Sequence, residues 1–65
     1  MVIVNGKEID WIKGENVEQT IKRSGSWCSF MSVFISGKWI RKEEWTKIDV
    51  SDGDEIRALE IIAGG

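Results

Sequence analysis

A β-hairpin is indicated most strongly in residues 1–11, which read MVIVNGKEIDW. The pair Asn5-Gly6 readily adopts the left-handed conformations of a two-residue hairpin turn, and alternating polar and apolar residues follow it. Such a turn sets Val4 opposite Lys7 and fixes the register of both strands. The core face of the predicted hairpin then carries four apolar side chains, those of Val2, Val4, Ile9 and Trp11.

A short helix is predicted after the hairpin. Asn16 is a suitable N-cap residue, and Gln19, three positions on, completes a reciprocal capping box. Gly25 lies where a left-handed residue would end the helix. One face of this helix is partly apolar and carries Val17, Thr20, Ile21 and Ser24. Because two helical turns alone are not stable in water, the helix needs a sheet beneath it.

Three further strands are predicted in the second half of the chain. Residues 31–35 alternate and lead through the turn Ser36-Gly37 into residues 38–41, and a last strand runs from residue 55 to about 62. Between them lie an irregular connection or single helical turn around Trp45 and a tight polar turn at residues 51–54. The order β-β-α-β-β-β predicts an α+β domain over residues 1–65, with one short helix on one face of a sheet of four to five strands.

The composition limits the classes of function. Nine Lys and Arg against eleven Asp and Glu give a net charge of −2, which disfavours nucleic acid as a partner. The basic and aromatic residues around Trp39 could stack on single-stranded bases, but the acidic balance weighs against it. No apolar run approaches the 18 or so residues that span a bilayer, so we expect no membrane association. A lone cysteine and no export signal favour the cytoplasm.

No side chain stands out as a catalytic group. Cys28 is the only cysteine and the chain has no histidine, so neither an intrachain disulfide nor an ordinary zinc site is expected. Without a C-x-x-C partner or a base, Cys28 is interpreted as an inert, partly buried thiol. Asp52 and Asp54 are explained by the turn that they flank. We therefore expect no metal site and no catalytic residues of its own.

Four short motifs carry a resemblance to a known family. They are Val4-Asn5-Gly6, Arg41 four residues before Trp45, Asp52-Gly53-Asp54-Glu55-Ile56, and the closing Ile62-Ala63-Gly64-Gly65. Together they resemble the ThiS family, the ubiquitin-like sulfur carriers of thiamine biosynthesis. The resemblance covers nearly the whole chain and implies a mixed β-grasp sheet in which the last strand lies parallel to the first at the centre.

One segment departs from the resemblance. Residues 26–32 are more aromatic than is usual in the family, since they include Trp27, Cys28 and Phe30. The connection from helix to strand is therefore not predicted by the resemblance, and its aromatic residues suggest a surface for a partner.

The resemblance implies a function for the chain terminus. The carboxylate of Gly65 would be adenylated by a ThiF-like activating enzyme that uses ATP and Mg²⁺, and a sulfur donor protein would then convert it to a thiocarboxylate. A ThiG-like thiazole synthase would receive the sulfur. The chain itself would bind no cofactor and would be a protein co-substrate rather than an enzyme. The residues of the flexible tail that enters the partner active site would be Ile62, Ala63, Gly64 and Gly65.

A partner surface is expected on the sheet face that the single helix leaves uncovered. Phe34 alternates with the core residues Val33 and Ile35, and Trp39 and Leu59 could flank it. Ordinary packing at a sheet edge is the alternative for each of the three. Trp11 and Trp45 are instead expected in the core or at its edge.

Three other interpretations remain open at the level of sequence. The small subunit of molybdopterin synthase shares the fold and the Gly-Gly end but is usually longer, and a carrier for another thiolated product also remains open. From a different class, the chain could be a non-catalytic β-grasp interaction module. An enzyme is disfavoured because the sequence has no histidine, no cysteine pair and no glycine-rich phosphate loop.

Overall fold

Five β-strands and one α-helix make up the computed structural model, which describes residues 1–61. The elements are β1 (Val2–Val4), β2 (Lys7–Ile9), α1 (Val17–Ser24), β3 (Met31–Ile35), β4 (Lys38–Ile40) and β5 (Glu55–Glu60), with a 3-10 turn at Lys42–Glu44. Residues 62–65, for which the sequence predicts a flexible tail, lie outside the described residues. No helix within residues 1–61 has the length and apolar character needed to cross a bilayer.

The first hairpin has the predicted register. Val2 lies opposite Ile9 and Val4 opposite Lys7. Asn5 and Gly6 have φ angles of 52° and 81°, the left-handed pair that a tight turn between twisted strands requires. Both valines are fully buried, which confirms the predicted core face of β1.

The predicted place of Trp11 on the core face of the second hairpin strand is wrong. β2 ends at Ile9, so the strand alternation does not continue to Trp11, whose side chain is 37% exposed. Its indole Nε1 donates a hydrogen bond of 2.8 Å to the carbonyl oxygen of Val50. Trp11 therefore lies at the edge of the core and ties the end of the hairpin to the segment before the last turn.

The sheet has five strands in the order β2-β1-β5-β3-β4. β1 and β5 are parallel, and the other neighbouring pairs are antiparallel. The last strand is thus central and parallel to the first, as the resemblance implied. β4 and β5 end at Ile40 and Glu60, slightly earlier than the sequence predicted.

The helix has the predicted ends. Gln19 N donates to the Asn16 side chain at 2.8 Å, and Asn16 N donates to the Gln19 side chain at 3.0 Å. Gly25, at a φ of 83°, ends the helix. Three residues of the predicted stripe are buried, namely Val17, Thr20 and Ile21.

The core lies between α1 and one face of the sheet. Trp45 is 4% exposed, which confirms its predicted burial, and its ring meets that of Trp27 edge-on with centroids 5.9 Å apart. The buried apolar residues are Val2, Val4, Val17, Ile21, Met31, Val33, Ile40, Trp45, Val50, Ile56 and Ala58. Burial of this size is small for an independent domain, so each buried side chain carries a large share of the stability.

Candidate functional site

The sheet face opposite α1, here called the outer face, has an exposed row of side chains in register. Phe34 on β3 lies between Trp39 on β4 and Arg57 on β5. Strand alternation directs all three away from the core, since Val33, Ile40 and Ile56 beside them are buried. Phe34 is half-buried, whereas Trp39 is 57% exposed.

Leu59 extends this apolar surface by one row. It lies opposite Ser32 of β3 and is 49% exposed. The structure therefore brings together on one face the three side chains that the sequence nominated, Phe34, Trp39 and Leu59. In an isolated domain of this size such a contiguous apolar surface is a candidate contact site for another protein.

The outer face also includes two apolar residues that the sequence did not assign to it. Ile61 N donates to Phe30 O at 3.0 Å, so the pairing of β3 with β5 continues one step beyond the strands. Phe30 is 75% exposed and Ile61 is 52% exposed. Alternation places them on the same side as Ser32 and Leu59. The period-two spacing of Phe30, Ser32 and Phe34 is the sequence signal that could have placed Phe30 on this face.

Negative and positive side chains occupy different rows of the outer face. Glu8 and Glu55 flank Ile3 in register at one end of the face, next to the start of β5. Arg57 lies in the apolar row and lines an open cavity of about 260 Å³ together with Asn5, Gly6 and Leu59. The centre of the face is thus apolar with a single cationic group among these lining residues.

The predicted carrier terminus begins where this surface ends. Ile61, the last described residue, follows β5 directly and pairs with Phe30. The predicted tail residues Ile62, Ala63, Gly64 and Gly65 lie outside the described residues. The tail is therefore attached to the central strand, next to the apolar end of the outer face.

Residues set aside by the sequence reasoning have structural roles. Cys28 is half-buried, and its thiol lies 3.3 Å from the Phe30 carbonyl oxygen. Asp54 accepts a hydrogen bond of 2.8 Å from Ser51 N within the polar turn. Within residues 1–61 no group of three potential metal ligands lies close together.

Comparison with known proteins agrees with this architecture. No family model matches the chain. A candidate sulfur carrier protein of Archaeoglobus fulgidus is 35% identical over 54 residues, which are 83% of this chain and 61% of that protein. The chain thus spans about three fifths of the length of this relative.

Two solved structures from Geobacter metallireducens share the fold. The crystal structure of the thiamine biosynthesis protein ThiS superimposes with a TM-score of 0.75 and 25% identity, covering 98% of this chain and 97% of that one. The solution structure of a thiamine biosynthesis protein gives a TM-score of 0.73 at 24% identity, covering 98% and 86%. The described residues therefore form the β-grasp fold of ThiS, and the resemblance to the ThiS family found in the sequence is confirmed.

Proposed function

We propose that this chain is a sulfur carrier that works through the carboxylate of Gly65. The observation that carries the proposal is the position of β5, which is central in the sheet, parallel to β1, borders the apolar outer face and precedes the last residues of the chain in sequence. The likeness to ThiS and to the Archaeoglobus fulgidus protein supports it.

The chemistry starts with activation, because a carboxylate is a poor electrophile. The Gly65 carboxylate attacks the α-phosphorus of ATP on a ThiF-like enzyme, pyrophosphate leaves, and an acyl-adenylate forms. A persulfide of the sulfur donor protein then attacks the acyl carbon and expels AMP. A second thiol then attacks the donor's sulfur in the resulting acyl disulfide and forms a disulfide with the donor, which releases a thiocarboxylate on Gly65. ATP and Mg²⁺ are bound by the enzyme, so this chain supplies the acyl group and the surface that is recognised.

The tail sequence suits this transfer. Gly64 and Gly65 have no side chain to collide with the walls of a nucleotide site, and glycine adopts backbone angles that other residues avoid. Four extended residues reach about 13 Å, which is long enough to carry the carboxylate beyond the domain. The domain would therefore dock on the enzyme surface while the tail alone enters the active site.

The destination of the sulfur is proposed to be thiazole formation in thiamine biosynthesis, through a ThiG-like synthase. This rests on the likeness of the fold to the thiamine biosynthesis proteins of Geobacter metallireducens. The outer face is proposed as the docking surface, with Phe34, Trp39 and Leu59 at its centre and Phe30 and Ile61 next to the tail.

Intact-mass spectrometry tests the proposal. The chain is incubated with the ThiF-like enzyme of its own organism, Mg-ATP and a persulfide donor, and a gain of about 16 Da from exchange of oxygen for sulfur is expected. Omission of ATP and deletion of Gly65 are the controls, and both should prevent the gain. Absence of the mass gain together with absence of ATP-pyrophosphate exchange would favour a pure interaction module instead.

A further inference from the structure

Arg57 places a guanidinium in the apolar centre of the outer face. It lies in register beside Phe34, with Trp39 one strand further and Leu59 two residues along the same strand. Within residues 1–61 the cations of the ion pairs are the Met1 amino group, Lys22 and Arg23, so no carboxylate there lies within 4.0 Å of Arg57. The guanidinium of this exposed residue is therefore available to an outside group.

The surroundings of Arg57 leave its charge unmatched. Asn5, which lines the same cavity, uses its side-chain oxygen and nitrogen to bind the backbone of Ala58. Glu55 lies on the same face, but it is one sheet row away, in register with Ile3. The cavity wall formed by Asn5, Gly6 and Leu59 carries no charge. An incoming group would thus meet one cation in an otherwise neutral, largely apolar recess.

Docking would change the solvation of this charge. Arg57 lies among Phe34, Trp39 and Leu59. A partner that covers these three side chains therefore also removes water from the guanidinium. A charge that loses water without gaining a partner is strongly unfavourable, whereas a guanidinium forms two parallel hydrogen bonds with one carboxylate. A carboxylate opposite Arg57 is therefore the most favourable partner in a complex that covers this face.

We propose that the protein that docks on the outer face inserts an aspartate or glutamate side chain into the cavity of Asn5, Gly6, Arg57 and Leu59, where Arg57 binds its carboxylate. This inference rests on the proposed function, because the occupant is the proposed activating enzyme, which would meet the outer face where the chain leaves β5 beside Phe30 and Ile61. The apolar row around Arg57 favours a protein over a small anion, since an isolated anion would leave Phe34 and Trp39 uncovered.

Adenylation kinetics provide the first test. ATP-pyrophosphate exchange is measured with the ThiF-like enzyme as a function of carrier concentration, for the wild type and for Arg57→Lys, Arg57→Met and Arg57→Glu. Arg57→Glu is expected to raise the half-saturating concentration by about a hundredfold and Arg57→Met by about tenfold, while Arg57→Lys stays within a few-fold. Lys13→Glu, an exposed charge reversal at a cleft beside α1, is the matched control and should stay near wild type.

Zero-length cross-linking provides the second test. The Arg57→Lys chain places an amine in the cavity, so a carbodiimide should join it by an amide bond, with loss of one water, to the facing carboxylate. Peptide mass spectrometry then identifies the aspartate or glutamate of the enzyme. Replacing that residue by arginine should restore exchange activity to Arg57→Glu.

The outcomes separate the two proposals. No exchange with the wild-type chain would reject the sulfur carrier and, with it, this inference. Two results would reject the inference but not the sulfur carrier. One is exchange with the wild type and unchanged kinetics for Arg57→Glu. The other is that Arg57→Lys forms no cross-link to a carboxylate of the enzyme. Circular dichroism on each variant guards against loss of the fold, which is not expected at an exposed strand position.

Discussion

Asn5 and Ala58, 53 positions apart, are joined by two hydrogen bonds between one side chain and one backbone unit. Asn5 Nδ2 donates to Ala58 O at 3.1 Å, and Ala58 N donates to Asn5 Oδ1 at 2.8 Å. Asn5 is also the first turn residue of the β1-β2 hairpin, with a φ of 52°. The side chain therefore extends the parallel pairing of β1 with β5 past the point where the β1 backbone turns away.

Asn5→Gly should destabilise the domain, because both hydrogen bonds to Ala58 are lost while the left-handed backbone is kept. Each bond contributes about 1 kcal/mol, so we expect a loss of about 2 kcal/mol in the free energy of unfolding. In a domain of this size that corresponds to a fall of about 10 °C in Tm, measurable by calorimetry or circular dichroism.

Ser36→Gly is the matched control for Asn5→Gly. Ser36 is the other non-glycine residue with a positive φ, 50°, among residues 1–61, and it also begins a hairpin turn completed by a glycine. Its side chain makes no hydrogen bond within the described residues, so its replacement should change stability by less than about 0.5 kcal/mol. Equal effects of the two substitutions would show that the bonds to Ala58 contribute nothing.

Glu15 is expected to contribute to the free energy of unfolding in a pH-dependent way. The Arg23 guanidinium binds its carboxylate with N–O distances of 3.0 to 3.1 Å, and Thr20 Oγ1 donates to it at 2.7 Å. These bonds, that from Arg23 above all, hold the pKa of Glu15 below its ordinary value of 4.5. Because the folded pKa is the lower one, this contribution is fully present above about pH 5 and is lost as the pH falls through the folded pKa.

Glu15→Gln should therefore lower the free energy of unfolding at pH 7 by about 1 to 2 kcal/mol, with a difference from wild type that shrinks in acid. Urea unfolding at several pH values measures it. Glu18→Gln is the control, because Glu18 forms a surface pair with Lys22 at 3.1 Å and should contribute less than about 0.5 kcal/mol. A Glu15→Gln deficit that stays constant from pH 7 down to acid would contradict the assignment.

Local chemistry explains which parts of the fold were predictable from sequence. The turn at Asn5-Gly6 and the cap at Asn16 are determined by residues within a few positions of each other, and both were predicted correctly. The bonds from Asn5 to Ala58 depend on strand pairing across the chain, which no short motif specifies. The expected position of Trp11 at the edge of the core was right, but its assignment to the core face of β2 was wrong, because alternation was extended past the end of that strand.

The candidate site likewise has a part that local sequence predicts and a part that depends on strand pairing. Phe34 was nominated from its alternation with Val33 and Ile35, and Trp39 and Leu59 as residues that could flank it; strand register places all three on one face. Arg57 was not found, because its position beside Phe34 follows from the β3-β5 register. An arginine in a strand has no functional meaning until its neighbours on the face are known.

If the outer face docks on an activating enzyme, as proposed, Leu59→Ser should weaken that docking without unfolding the domain. The side chain is half exposed on the outer face, so its loss should raise the half-saturating carrier concentration in ATP-pyrophosphate exchange by about tenfold, as expected for a central contact residue. Ile12→Ser is the matched control, since Ile12 is similarly exposed, at 46%, but lines a cleft beside α1. Similar kinetics for the two variants would argue against the outer face as the docking surface.

Gly64→Trp, or one residue added after Gly65, should abolish sulfur loading while leaving the unfolding transition nearly unchanged. The physical reason is that the proposed tail has to fit a narrow nucleotide site, whereas the buried apolar residues found within residues 1–61 lie between residues 2 and 58. Intact-mass spectrometry measures loading, and thermal unfolding measures the fold. Gly14→Ala, a glycine substitution 50 positions before Gly64 at a φ of 84°, controls for glycine replacement in general: it should reduce stability by about 1 kcal/mol and leave loading intact. Sulfur loading of the extended chain would show that a free Gly65 carboxylate is not needed and would reject it as the carrier group, whereas loading of the Gly64→Trp chain would reject the narrow nucleotide site.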